Sequence, residues 1–486
     1  MSNILANTDE LLVMGGDARI ALNAPGGVNR YGCGVLPVAD LLDFASSTAS
    51  VISPHAYQAA NQLRVRLVTE LGSHLPATLY ARELSHMRKE LLELCRLENL
   101  PEPDVVFAAS GTDLHRIAAQ LSCAAQGQAV LAIMVDETET GSGVCAALQA
   151  SSSHIQIATV TLRHADGTPR DSGAIDAEFT SLAQQAAAAG QQVLLIHVDV
   201  SKTGMIAPSY ACTAALKTTL GKSLDVLIDA CQFRIAPATL RACLERGYNV
   251  ALTGSKFIGG PSFSGALLIP AATANRLRHQ LFLHEATAPN FGLLLRWQAA
   301  LCELRRFRNL NTPDISNFLH NFAQAIKTRL NNDPAFAEVG VAKLDRSALH
   351  AETTWDDIQT IFPFQLYRSN KSESIMLGAE QTKSVYRRLA TTTPRCQFGQ
   401  AVNYGNGLYA LRLCLSTNLI EHALANKNAG DDIIAKALAA LDHVSRLASF
   451  HPVRIVRRNE VSEISPGTHT QEAIPSLNQH QRIAHG

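Results

Sequence analysis

From residue 104 onward, short apolar runs alternate with helical patterns. Val105-Val106-Phe107-Ala108 reads as a strand, and Leu114 to Ala125 as the helix that follows it. Val130 to Val135 is the next predicted strand, with a helical stretch after Gly143. Ile155 to Leu162 follows, then an alanine-rich helix over Ala174 to Ala189. Gln192 to Val198 is almost continuously apolar, and a helix is predicted from Ser209 to Leu220. Leu224 to Asp229, a helix over Pro237 to Arg246, and Val250 to Thr253 complete the alternation. Strands apolar on both faces and joined by helical crossovers imply a mainly parallel α/β sheet. Ser264 to Ile269 follows Gly259-Gly260-Pro261 too closely for a helical crossover, so it is predicted as an antiparallel return strand.

From about residue 312 the pattern changes. A long helix over Ile315 to Leu330, short strands near Ile361 to Tyr367 and Tyr409 to Leu415, and further helices predict a smaller α+β domain. The expected organisation is an N-terminal segment (1–55), a large α/β domain (56–310), the smaller domain (311–450) and a polar tail (451–486). The tail is rich in Pro, Ser and Gln, a composition that does not fold on its own.

Lys+Arg and Asp+Glu balance at 42 each, so no global field points to nucleic acid or an anionic membrane. Charge recognition is therefore expected locally, at a site for a small molecule. No uncharged apolar run reaches membrane-spanning length, and the start MSNILANTDELL lacks the pattern of a secretory signal. The 10 cysteines form no C-x-x-C pair, and no His/Cys cluster has metal-ligand spacing. Reduced thiols, no metal and a cytoplasmic location are the expectation.

Three strand ends carry candidate chemistry. Ser110-Gly111-Thr112-Asp113 joins a strand to a helix, where free backbone N–H groups and two hydroxyls suit a phosphate. The same residues also make an ordinary helix cap. Asp229 closes a strand in Asp229-Ala230-Cys231-Gln232, the place where α/β sheets bind ligands. It suits a sugar hydroxyl, a metal or a pyridinium nitrogen equally. Thr253-Gly254-Ser255-Lys256 ends the next strand. A lysine there is costly unless paired or deprotonated, and a desolvated amine forms imines. Asp229 and Lys256 are one strand–helix–strand unit apart, so both side chains emerge at one sheet edge.

Together, Ser110-Gly111-Thr112, Asp229-x-x-Gln232 and Thr253-x-Ser255-Lys256 with glycines after it resemble the fold-type I pyridoxal-phosphate (PLP) enzymes. The likeness is to the class V aminotransferase and cysteine desulfurase group. It implies the PLP-transferase fold, with a seven-stranded-type sheet in the large domain. It further implies PLP held as a Schiff base on Lys256 and a pyridine nitrogen kept protonated by Asp229. Ser110, Gly111, Thr112, Thr253 and Ser255 then hold the phosphate, and Gln232 meets the phenolic oxygen. His197 to Gly204 is similar to a segment that lies near the ring in that group, which gives Ser201 a cofactor contact. Lys202 beside it departs from the usual small residue and reads as solvent-facing. Ala410-Leu411-Arg412-Leu413-Cys414-Leu415-Ser416 resembles the strand whose arginine grips the substrate α-carboxylate. A structural salt bridge is the alternative for Arg412. The N-terminal segment of such enzymes crosses the active-site mouth, so Tyr31 is expected at the substrate. The Ser/Thr cluster over 46–50 is either there too or a helix cap before Pro54. A homodimer is implied, with Thr287 in His284 to Asn290 completing the partner's phosphate site.

Departures from the group are visible as well. The place that normally carries a ring-stacking aromatic or histidine reads Asp136-Glu137-Thr138-Glu139-Thr140-Gly141-Ser142-Gly143. Cys396 stands 412 − 396 = 16 residues before Arg412, a spacing like one desulfurase subgroup, but the histidines of that subgroup are missing. A structural thiol is the better reading. The expected function is a PLP-dependent enzyme on an amino acid or amine, with transamination first. A lyase, a cysteine desulfurase or a carbon–carbon bond-forming enzyme comes next. A non-catalytic regulatory relative is opposed by the presence of both Asp229 and Lys256. A nucleotide-dependent oxidoreductase is weakened by the partial glycine fingerprint Gly141-x-Gly143.

Overall fold

A computed structural model describes residues 5–24, 26–47, 50–101, 103–126, 129–276, 288–370 and 373–449. The strands in chain order begin with β1 (Leu42–Phe44), β2 (Asp104–Ala108), β3 (Val130–Val135), β4 (Ile155–Val160) and β5 (Gln192–Asp199). Then come β6 (Ile206–Ala207), β7 (Leu224–Ala230), β8 (Asn249–Thr253) and β9 (Gly265–Ile269). The C-terminal part adds β10 (Phe336–Glu338), β11 (Ile361–Asn370), β12 (Glu373–Met376), β13 (Cys396–Asn403) and β14 (Tyr409–Cys414).

The large sheet has the order β2-β9-β8-β7-β5-β3-β4, with β6 attached to β5. Neighbours pair in parallel except the two-residue β6, antiparallel to β5, and β9, which runs antiparallel to both β2 and β8, as the short Gly-Gly-Pro connection predicts. All eight positions of β5 are buried, and so are all of β8 and β9, which explains their unbroken apolar runs. Helices cover both faces, several with the caps their sequences carry. Asp171 caps Ser172–Ala188 and Ser209 caps Tyr210–Leu220. Ser53, outside the cluster over 46–50, caps Pro54–Glu70 with Pro54 in the first turn, while Ser47 of that cluster lines a cavity at the edge of the large sheet. The helices Pro54–Glu70 and Pro76–Leu94 pack against Phe291–Arg308.

The C-terminal sheet has the order β1-β13-β14-β11-β10, with β12 on β11. Its edge strand β1 comes from the N-terminal segment, paired in parallel with β13 at Leu42↔Cys396. Both sheets lie in one compact unit. The polar tail from 451 lies outside the described residues. Because β2, β3, β5, β7 and β8 share one direction, their carboxyl ends form one edge of the large sheet, and the site is built there.

An ion cluster ties the two sheets together. Arg346 makes a two-pronged pair with Asp199 at the end of β5, with Nε–Oδ2 at 2.9 Å, and all three of Arg346, Asp199 and Asp356 are at most 2% exposed. Tyr210 donates to Asp199 at 2.8 Å. Asp356 accepts from the Ala236 N–H at 2.7 Å and from Thr239 at 2.8 Å, at the start of Pro237–Glu245. Removing one member leaves buried charges without compensation. Arg346→Met is expected to lower stability by about 3–5 kcal/mol, read as the shift of the urea midpoint. A shift under about 1 kcal/mol, the level of a surface pair, would refute this account of the cluster.

Candidate active site

A cavity of about 230 Å3 opens at the carboxyl edge of the large sheet. Ser110, Gly111 and Thr112 from the end of β2 line it, with Asp229 and Gln232 after β7 and Thr253, Ser255 and Lys256 after β8. Tyr31 from the N-terminal segment and Arg412 from β14 complete the expected set. Ser201 is not on the wall: it is buried and gives its hydroxyl to Glu139 at 2.7 Å. Its neighbours Val200 and Lys202 take that place. Thr287 lies outside the described residues.

One end of the cavity is a cradle for an anion. Gly111 begins the helix Gly111–Gln126, whose first backbone N–H groups lack intrahelical partners. The chain passes so close to β7 and β8 that a Cβ on Gly111 would meet Cys231 Sγ at 2.9 Å and Thr253 Cγ2 at 3.2 Å. Ser110 serves as the cap left open by the sequence, donating to Asp113 Oδ2 at 2.8 Å and accepting from the Asp113 N–H at 3.2 Å. Thr253 gives its hydroxyl to the Cys231 carbonyl at 2.6 Å and receives that of Ser255 at 3.3 Å. Arg19, which sequence reasoning missed, reaches this end from the N-terminal segment. Its Nη2 is 3.3 Å from Thr112 Oγ1, Asp17 holds the guanidinium at 2.6 Å, and its face covers Phe263 at 5.1 Å. No local pattern marks Arg19, because its position depends on a fold contact 93 residues away.

Asp229 lies at the floor, 7% exposed. It accepts from the Cys231 N–H at 3.2 Å and from Thr140 at 3.4 Å. His115 Nε2 stands 3.2 Å from Asp229 Oδ2, an ion-pair distance without the alignment of a hydrogen bond. The other ring nitrogen is 2.8 Å from the Gly111 carbonyl, one helical turn back. Burial works against the carboxylate, but the charges of His115 and Lys256 outweigh it and hold Asp229 well below the usual carboxylate range. For His115 burial opposes the charged ring, and Asp229 overrides it, raising the imidazole above its ordinary value. His115 was missed because one histidine on a helix has no signature until the strand beneath it is known. Lys256 sits at φ 60°, in the left-handed region that a side-chain-bearing residue rarely adopts. The tight turn before it is fixed by packing: a Cβ on Gly254 would meet Ala300 Cβ at 2.5 Å.

The opposite wall carries Arg412, 4% exposed. Its Nε donates to the Gln400 carbonyl at 3.2 Å and its Nη1 to the Lys202 carbonyl at 3.1 Å. Among the described residues it has no carboxylate partner, which speaks against the structural salt bridge. Glu139, from the acidic stretch, is bonded by Arg163 Nε at 2.8 Å, by Ser201, and by Thr203 through both its hydroxyl at 2.8 Å and its N–H at 3.2 Å. Thr140, Gly141 and Ser142 form the wall where a stacking residue was sought. Cys396 is buried in β13 and away from the cavity wall, with Sγ donating to the Pro394 carbonyl at 3.3 Å. Burial pushes its thiol up to about 11.

The pair at the floor has a pH consequence. A raised His115 contributes stability that is complete below the unfolded value near 6.5 and is lost as pH rises through the folded value. The depressed Asp229 acts in a separate, acid window, losing its contribution only as pH falls below the ordinary carboxylate value. Urea unfolding between about pH 6 and pH 9 is expected to show stability falling by at most about 1.4 kcal/mol per pH unit from this one proton. His115→Gln removes that component of the slope; an unchanged slope in the variant would show that His115 does not titrate there.

No protein-family model matches the chain, and no curated protein sequence matches it. Solved structures do match. The cysteine desulfurase CsdA from Escherichia coli is 13% identical, with 84% of this chain and 95% of that one covered at a TM-score of 0.53. A cystine C-S lyase solved with its product cysteine persulfide is 15% identical, with 85% and 98% covered at 0.56. A glutamate decarboxylase domain from Vibrio parahaemolyticus is 13% identical, with 84% and 80% covered at 0.51. At such identities the likeness is one of architecture. The large mixed sheet covered by helices matches the α/β fold of the type I PLP-dependent enzymes.

Proposed function

We propose that this chain is a PLP-dependent enzyme acting on an amino acid, and that its reaction is transamination. The observation that carries the reading is the convergence on one cavity of Asp229, Lys256, the cradle at Ser110 to Thr112, and Arg412. The residues fit the cofactor. The cradle offers unpaired N–H groups to a phosphate, and Asp229 is held ionised in a buried place. Among the described residues Gln232 Oε1 is buried with no hydrogen-bond partner, so its side-chain amide is not fully used by the fold.

Bound there, PLP supplies an aldehyde for imine formation and a ring that accepts the electrons of a bond broken at the substrate Cα. Lys256 Nζ would hold the cofactor and serve as the base that moves a proton at the substrate Cα. Asp229 would hold a proton toward the ring nitrogen, and His115 beside it keeps that carboxylate charged. Arg412 orients the α-carboxylate by charge-assisted hydrogen bonds. Transamination is favoured over sulfur transfer because Cys396 is sealed in β13 with a raised pKa. Cys231, which does line the cavity, is likewise raised by burial and by Asp229 beside it. Glu139 is committed to Arg163, Ser201 and Thr203, so it does not offer a second acid–base group for side-chain elimination.

The test begins with the purified holoenzyme. Borohydride is expected to fix the cofactor on Lys256, located by peptide mass spectrometry. In a separate, unreduced sample an amino acid added alone bleaches the absorption band, and a keto acid restores it. Attachment elsewhere, or no cofactor, refutes the PLP reading. Release of ammonia, sulfide or carbon dioxide with no recovery by keto acids leaves PLP in place but replaces transamination by the lyase, desulfurase or decarboxylase chemistry named for the fold's solved members.

Arg412→Ala supplies an independent check on substrate orientation. Loss of a charge-assisted pair worth about 1.5–3 kcal/mol predicts a KM for the amino acid raised roughly tenfold to a hundredfold, with the cofactor band unaltered. An unchanged KM returns Arg412 to a structural role.

A further inference from the structure

Lys202 was read from sequence as solvent-facing, yet it lines the cavity and is half-buried. Its surroundings hold it there. The Lys202 N–H donates to the Glu139 carbonyl at 2.8 Å, and Nζ donates to the Glu137 carbonyl at 2.7 Å. The turn that presents it is closed by Ser201 and Thr203 on the Glu139 carboxylate and by Arg163 on Thr203 at 2.8 Å. Arg412 in turn donates to the Lys202 backbone carbonyl, so the two residues belong to one wall of the cavity.

The charge accounting on that wall is one-sided. The carboxylate of Glu139 is already bonded to Arg163, and that of Asp229 faces His115. Among the described residues, neither Lys202 nor Arg412 has an ion-pair partner within the protein. Burial, then the neighbouring charge of Arg412, pushes the Lys202 amine down to about 8, against the pull of Glu139. An amino acid with a neutral side chain brings one carboxylate to these two cations. One with an acidic side chain brings two anions, and each desolvated charge gains a partner. An ammonium with one carbonyl bond keeps two N–H donors for that purpose.

We propose that the cavity selects acidic amino acids, with Arg412 on the α-carboxylate and Lys202 on the acid at the end of the side chain. This rests on the PLP reading given above and adds the substrate class to it.

The test is a spectral titration of the holoenzyme with aspartate, glutamate and cysteine sulfinate, beside asparagine, glutamine and alanine. At least one acid is expected to saturate at a concentration tenfold or more below that of its uncharged counterpart. In Lys202→Met that ratio falls at least tenfold, and in Lys202→Arg it is largely retained. Uncharged amino acids that bind as well as the acids overturn the proposal while the PLP reading stands, and this arm needs no variant to fold. A ratio unchanged in Lys202→Met overturns the role of Lys202. A chain that takes up no cofactor overturns both readings together.

Discussion

An ionised carboxylate at the bottom of an apolar sheet is the constraint around which this site is organised. Asp229 ends β7 between β5 and β8, where its neighbours are buried strands. An isolated charge in such a place neutralises itself or destabilises the fold. Here Thr140, the Cys231 N–H, the His115 ring and the charge of Lys256 converge on it. They come from four segments that the sheet order brings to one edge. The cost of keeping Asp229 charged is met by the same elements that shape the cavity, so shape and charge state are one problem in this fold.

The second constraint is closure. The large sheet alone supplies a floor and a cradle; the far wall comes from β14 and the turn after β5. The Arg346–Asp199–Asp356 cluster fixes that arrangement, because Asp199 ends β5, immediately ahead of the turn that bears Lys202. Arg234 adds a second tie, reaching Thr360 at 2.8 Å, the Leu415 carbonyl at 3.0 Å and Ser46 Oγ at 2.7 Å. Large sheet, C-terminal sheet and N-terminal segment are thus joined by buried arginines whose partners have defined geometry. Such contacts contribute less to net stability than apolar packing of equal volume, but they leave few alternative arrangements.

How much was legible in the sequence follows from how local each signal is. Apart from the two-residue β6, which was not predicted, the strands of the large sheet are short apolar runs with turns at both ends, and their positions were readable to within two residues. The spacing of Asp229 and Lys256 reported their shared edge because parallel strands have a fixed polarity. The helix Pro76–Leu94 went unread and the one from Pro54 was signalled only by its start: their apolar positions are interrupted by charged residues that pair across helices, such as Arg66 with Glu83. Strand β13 was also missed, since CQFGQAVN lacks clean alternation and its register with β14 shifts between Gly399 and Val402. The pairing of β1 with β13 joins Leu42 to Cys396, and no local pattern reports a contact at that separation. Arg19 and His115 belong to the same class of non-local information.

The acidic stretch 136–143 shows why a departure from a family pattern needs the fold to be interpreted. As sequence it offered neither an aromatic nor a histidine at the expected place, and its glutamates had no assignable role. In the folded chain Glu139 is the hub of a buried network with Arg163, Ser201 and Thr203, and Glu137 supplies a carbonyl to Lys202. The segment therefore acts as a brace for the turn over residues 201–205. Arg163 pairs with Glu139 inside that brace, and the charge of Glu139 still favours the ammonium of Lys202 beside it. On this wall Arg412 and Lys202 are the cations that an incoming anion meets. The acidic stretch that departed from the family pattern is thus what braces the wall bearing Lys202.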